Sequence, residues 1–512
     1  MKRFAVISLA FALLIAADLK ANDADLNFNR GLAHYNNGQF DRAIAEFDEA
    51  IKLAPRNAEL HFYRGLAYFG KGDHDRAIAS YDQAIRVDSS HMRAYLNRGH
   101  AYVGKNEHYR AIDDYNQAIR LDPNYVMAYN YRGLAYAEKD DHNRAIADYT
   151  LAIGIDPTHA VAYNHRGFSY YAKDDFDKAI IDFNQAIRLD GNYSVAYNNR
   201  ALAHAGKKEY DRAVPDFERA VQLNPRYAAA YNNRGRVYIA IGEFDRAVAD
   251  FAMSISINST NAESFMGRGL AYYHKNDFDA SVADYERAIR LSPSIEAYRS
   301  RGRAYRGKKE FDRAVADYAQ AIQMAPDDAT LYNERGDAYR EKNDFNRAIA
   351  DYNRAISIDP GYTLAYVNRG IALHGRNDLD PAIADFDWAI RLNPNFAPAF
   401  FHRGVVHYSR SDYDRALADF NQAIRLERSD PVMYNSRGLV YRQKNDLDRA
   451  LADYTQAVMI APRYAAAYYN RGSVFYTKGD YERAIADFEK AVELDPYNTN
   501  AREYLELARQ RK

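Results

Sequence analysis

Along residues 91–123 the small and aromatic side chains fall into two blocks at helical spacing. Tyr95, Gly99 and Tyr102 make the first block, and Ala111, Tyr115 and Ala118 the second. Residues three and four apart share one face of an α-helix, so each block predicts a helix with one apolar stripe. Asn106 divides the blocks. Its slot is Gly, Asn or Asp in eleven of fourteen recurrences along the chain, residues that tolerate the left-handed backbone ending a helix. The next slot is acidic in thirteen, as in Asp73, Glu107 and Asp480, which suits the positive end of a second helix. Prolines such as Pro123, Pro157 and Pro225 close the unit, because proline cannot continue a helix interior. The predicted unit is a helix hairpin.

The unit recurs with a fixed period. Arg-Gly appears at Gly31, Gly65, Gly99, Gly133, Gly167, Gly235, Gly269, Gly302, Gly336, Gly370, Gly404, Gly438 and Gly472, with Ala201 in the missing place. Every spacing is 34 residues except the 33 from Gly269 to Gly302. Such a period marks stacked supersecondary units whose apolar stripes are buried only by neighbours. The segment Thr499 to Lys512 predicts a closing helix, with Tyr504, Leu505 and Leu507 covering the last repeat.

These residues resemble the tetratricopeptide repeat family. Its pattern of an aromatic, then Gly, Tyr, Ala, an aromatic, Ala and Pro is met by Tyr95, Gly99, Tyr102, Ala111, Tyr115, Ala118 and Pro123. The resemblance covers residues 24–498 in fourteen repeats. It implies an all-α, right-handed superhelical solenoid of hairpins, with residues 499–512 as the C-terminal capping helix. It also implies a concave groove lined by the first helices, where proteins or extended peptides bind. One departure from the family pattern is systematic. All fourteen repeats carry Arg before the Gly slot, and twelve carry Asp before the second-helix aromatic, from Asp114 to Asp487. A buried arginine needs a partner, so an Arg–Asp pair is predicted inside each hairpin, for example Arg268 with Asp284.

The start of the chain has a different character. Lys2 and Arg3 precede an apolar run from Phe4 to Ala17, and small residues come after it. Residues 1–21 therefore predict a secretory signal peptide, cut after Ala17 or Ala21, and an exported protein in the periplasm or outside the cell. The run is too short for a comfortable membrane span, so contact with a membrane is expected only if this segment stays uncleaved.

Composition narrows the chemistry. The net charge is −1, without the basic excess of a nucleic-acid binder, so no nucleic acid is expected as partner. With no cysteine, disulfides and thiolate metal sites are excluded. No phosphate loop, serine-hydrolase elbow or zinc-protease motif is present, and the carboxylates follow the repeat. No enzyme activity, metal or cofactor is predicted.

Two sets of residues break the apolar rule of the groove slots that the resemblance implies. Asparagine recurs three residues before the Gly at Asn130, Asn164, Asn198, Asn232, Asn333 and Asn435. Amides both donate and accept, so this row suits an extended peptide backbone, or else bonds to neighbouring helices. Arg299, Arg303, Arg306 and Arg340 gather in repeats nine and ten, with Arg236 in repeat seven. They predict a basic patch for a carboxylate, phosphate or acidic segment, with Glu296, Asp337 and Glu341 near enough to neutralise it. The leading functional expectation is a binding scaffold in an envelope or secreted assembly. The alternative is an accessory subunit of polysaccharide synthesis or export, binding glycan or its enzymes.

Overall fold

The computed structural model describes residues 22–512, so the predicted leader at 1–21 lies outside the described residues. The chain divides into two compact units at Ser259/Thr260. The first holds seven helix hairpins, from a helix at 22–36 paired with Phe40–Leu53 to Ala228–Ala240 paired with Phe244–Ile257. The second holds seven more, from Ala262–His274 with Phe278–Leu291 to Ala465–Thr477 with Tyr481–Leu494, and then the helix Thr499–Arg511. No strand occurs among the described residues, and none of their helices is long and apolar enough to cross a membrane.

Repeat three shows why these residues fold this way. Its helices Met92–Gly104 and His108–Leu121 are joined through Asn106, whose φ of 63° lies in the left-handed region. Lys208, Lys309 and Ser411 adopt the same backbone at the equivalent slot, held there by the packing of the hairpin. The acidic slot works unevenly. Asp73 accepts a hydrogen bond from the Arg76 amide at 3.1 Å, whereas the longer Glu107 makes no side-chain cap.

The interior of each hairpin is one ring surrounded by alanines. Tyr115 is 1% exposed, and Ala101, Ala111 and Ala118 are fully buried. A Cβ on Gly99 would sit 2.6 Å from the Tyr115 ring, and one on Gly65 would sit 2.5 Å from Tyr81. The glycine therefore lets the second-helix ring lie directly against the first helix. Where Ala201 replaces it, the ring is Phe217, still fully buried. Pro215 sits in the first half of Tyr210–Leu223 without ending that helix.

The predicted Arg–Asp pair is present, and several of the arginines reach further than expected. Arg98 donates from Nε and Nη2 to the two oxygens of Asp114 at 2.9 and 2.6 Å, joining the helices of its own hairpin. Its Nη1 also donates to Asp82 of the preceding repeat at 2.5 Å. Arg132 makes the same double contact with Asp148 and Asn116, and Arg403 pairs with Asp419 and reaches Asp387. Arg268 and Asp284 pair as predicted, at 2.8 Å. In repeat two, where Ser80 replaces the aspartate, Arg64 takes Ser80 and the preceding Asp48 instead.

The last helix caps the stack with Leu505, Ala501 and Ala508 buried and Tyr504 packed edge-on against Tyr469 and Tyr476. Leu507 corrects the sequence reading. It is 37% exposed, on the face away from the last hairpin. Glu506 fills the position of the glycine in this helix. Leu505→Ala is expected to cost about 2 kcal/mol, the lower end for a buried leucine at a terminus that relaxes. Hydrogen exchange should show the loss confined to the last hairpin.

Candidate functional site

The asparagine row lies at the joints between repeats. Asn130 is 2% exposed and its Oδ1 accepts from His165 Nδ1 at 3.0 Å. Asn164 accepts from Asn199 at 3.1 Å, and Asn198 from Asn233 at 3.1 Å. In the second unit Asn333 accepts from Asn368 at 3.0 Å and Asn435 from Asn470 at 2.9 Å. Asn232 is likewise buried, at 5% exposure. Each of these five bonds spans 35 residues, from the slot three before one glycine to the slot two before the next. A peptide backbone would have to displace these bonds, so the amides stitch helices and do not present themselves to the groove.

The arginines of repeats nine and ten are also internally engaged. Arg299 occupies the same slot as the asparagines and donates to Glu334 Oε1 at 2.7 Å, again across 35 residues, so an ion pair replaces the amide rung. Arg303 leans on the same carboxylate at 2.5 Å. Arg306 donates to Glu341 and lies 3.8 Å from Asp337, which Arg340 approaches at 3.6 Å. Tyr352 donates its hydroxyl to Asp337 at 2.8 Å. Burial pushes the Asp337 carboxyl above its ordinary range, and Arg306 and Tyr352 pull the other way. The expected basic patch is a charge-balanced network, because each guanidinium meets a carboxylate of the next repeat or of its own. Arg236, in the other unit, is exposed on the first helix of repeat seven.

Replacing both Arg299 and Glu334 by Asn rebuilds the rung seen between Asn333 and Asn368. The double variant is expected to stay within about 1 kcal/mol of the parent, since one hydrogen-bonded rung replaces another. A urea titration measures it.

Some of what the first helices leave open is apolar. In the first unit Leu134 is 36% exposed, Val161 36% and Phe168 45%. Phe168 meets Tyr171 with ring centroids 6.0 Å apart, and Leu202 of the next repeat is half-buried. Leu134, Phe168 and Leu202 occupy the slot after the glycine in three successive repeats. They form a row at equivalent positions of the stack.

His204 and His407 are buried in the slot filled by Tyr68 in repeat two. Burial pushes His100, His165 and His402 down to about 4, so their rings pack uncharged. No cluster of three potential metal ligands occurs among the described residues.

Comparison with known proteins agrees with this construction. Tetratricopeptide repeat profiles match residues 28–91, 93–125, 114–147, 160–193, 194–227, 217–249, 262–295, 302–339, 336–376, 367–431 and 435–499. No match was found among curated proteins. Among solved structures, the APC/C hetero-tetramer Cut9–Hcn1 is 15% identical, covering 95% of this chain and 97% of that one, with a TM-score of 0.45. A tetratricopeptide repeat protein from Parabacteroides merdae is 23% identical over 48% of this chain and 98% of its own, with a TM-score of 0.41. The MamA protein is 30% identical over 33% of this chain and 92% of its own, with a TM-score of 0.31.

Proposed function

Because the chain belongs to the tetratricopeptide repeat family, we propose that it is an exported, non-enzymatic scaffold that holds protein segments against the first helices of its repeats. The observation that carries this reading is the row of exposed Leu134 and Phe168 with half-buried Leu202, and Val161 and Tyr171 beside it. Contiguous apolar surface outside a core marks a place where another molecule docks. Polar side chains near the row are committed to the stack, so the segment it takes is one that offers apolar side chains. The basic, then apolar, opening of the sequence supports export and an envelope or secreted assembly.

The test replaces Leu134, Phe168 and Leu202 together by Ser. Leu134 and Phe168 are exposed and Leu202 is only partly buried against the core, so the helical circular dichroism is expected to be retained. Crosslinking in the compartment that holds the mature chain, read by mass spectrometry, is expected to lose its protein partners in the variant. Retention of the same crosslinks would remove the reading. Binding of exported polysaccharide by the parent chain, with no protein crosslinked, would favour the glycan alternative.

A further inference from the structure

Repeat eleven lacks both halves of a feature that most of the hairpins share. In most repeats an arginine or lysine in the first turn of the second helix folds over an aromatic ring in the last turn of the first helix. Arg144 lies 4.5 Å from the Tyr136 ring, Arg449 4.8 Å from Tyr441 and Arg483 4.6 Å from Phe475. Arg76, Arg110, Arg313 and Arg347 cover Tyr68, Tyr102, Tyr305 and Tyr339 in the same way. In repeat eleven both halves of this cover are changed. The ring is replaced by Leu373 and the cation by Pro381.

The backbone accommodates the change. Pro381 is the third residue of Leu379–Leu392, within the first turn, where a missing N–H breaks no helical bond. For the same reason Asp378 makes no side-chain cap, unlike Asp412 and Asp446, which accept from Arg415 and Arg449 at this position.

Where the cover is missing there is a solvent-open cavity of about 520 Å³, lined by both Leu373 and Pro381. Its remaining apolar wall includes Ile349, Tyr366 and Trp388. Trp388 is the single tryptophan of the chain and is 50% exposed. Thus three off-pattern residues of one repeat converge on one opening. None of them stands in a slot of the proposed groove, so this site and that reading are independent.

The polar groups in the wall decide what fits. Arg369 donates to both oxygens of Asp385, and its Nη1 donates to Asn353 at 2.6 Å. These groups satisfy one another, leaving few donors aimed at a hydroxyl-rich ligand and favouring an apolar occupant. Next to Trp388, Arg391 lies 5.1 Å from its ring and is exposed, with no ion pair to a carboxylate among the described residues. Its free charge complements an acid on the occupant.

We propose that the uncovered cavity of repeat eleven is a docking site for a protein segment that inserts a bulky apolar side chain beside Trp388 and sets a carboxylate against Arg391. Burying such a side chain is worth roughly 1.5–3 kcal/mol, or about a ten- to hundred-fold gain in affinity. The exposed charge pair adds at most about five-fold.

The single tryptophan makes the test direct, because its emission reports this cavity alone. The full chain is titrated with the acetylated, amidated pentapeptide Gly-Phe-Gly-Asp-Gly, with the same peptide carrying Ser for Phe, and with cellohexaose. A saturable change in Trp388 emission is expected for the Phe peptide, at least about ten-fold weaker for the Ser peptide. The variant carrying Leu373→Tyr and Pro381→Arg builds the cover found in most repeats, so it is expected to fold with unchanged helical content and to lose the response by at least about ten-fold. Arg391→Ala should weaken the Phe peptide by up to about five-fold. Equal responses to the Phe and Ser peptides, a response to cellohexaose alone, or an unaltered response in the restored-cover variant would each overturn the proposal. Loss of crosslinks in the Leu134, Phe168 and Leu202 variant, with this titration unchanged, keeps the two readings apart.

Discussion

Arg98→Leu is expected to lower the stability of the hairpins around it by about 3–5 kcal/mol, the cost of leaving a buried charge without its partner. Asp114 is 4% exposed and receives two of its hydrogen bonds from this guanidinium. The third bond, to Asp82, joins the preceding repeat, so two joints weaken together. Arg98→Leu with Asp114→Tyr removes both charges and is expected to recover most of the loss, because a buried ion pair stabilises little beyond an apolar pair of similar volume. The pH dependence of the single variant separates this cause from lost packing. Burial already pushes the Asp114 carboxyl upward, and Arg98 opposes it. Without Arg98 the folded-state value rises further above the unfolded one. Stability of the variant is then greatest at low pH and falls as pH rises through that raised value. Chemical denaturation of the parent, the single and the double variant at a series of pH values measures it. A double variant as damaged as the single one would show that the pairing is not the cause.

His165→Asn is expected to remove an acid sensitivity while keeping the fold. The ring is held by Asn130 and is pushed down to about 4 by burial, with His159 adding to the effect. A folded-state value below the ordinary 6.5 means that the unfolded chain binds the proton more readily. The ring's full contribution is therefore present above about pH 6.5 and is lost as pH falls toward 4, at about 1.4 kcal/mol per pH unit and about 3 kcal/mol in all. Asn199 occupies the corresponding slot of the next repeat and makes the same bond to Asn164, so asparagine fits this rung. The variant should match the parent at pH 7.5 and exceed it at pH 4.5 in thermal melts. Equal losses in acid for both chains would contradict the assignment.

The hairpin, its period and the Arg–Asp pair are legible in the sequence because each is written many times in register. The sites between repeats are less so, for a geometric reason. Asn164 and Asn199, or Arg299 and Glu334, stand 35 residues apart, one more than the period, so comparison of equivalent slots never sets the partners side by side. The asparagine row and the arginine cluster then read as two features facing a groove, although Arg299 and Asn333 occupy the same rung position. The opposite error hides the cavity of repeat eleven. Leu373, Pro381 and Trp388 depart from the repeat singly by small amounts, and only packing reveals that they share one opening. Leu507 escapes sequence reading because a helix buries only the side that a neighbouring helix covers, and among the described residues the last helix packs chiefly on Tyr481–Leu494.

The joint between repeats nine and ten has a mechanical consequence. Arg335 bonds Asp351 but has no side chain to reach in the preceding repeat, because Ala319 stands where Arg98 finds Asp82 and Arg132 finds Asn116. Partly exposed ion pairs from Arg299, Arg303 and Arg306 carry the load there instead, and dissolved salt screens such pairs far more than it does buried amides. Under tension in an optical trap, this joint should rupture at a force that drops with ionic strength, while the amide-stitched joint after Asn333 barely notices the change.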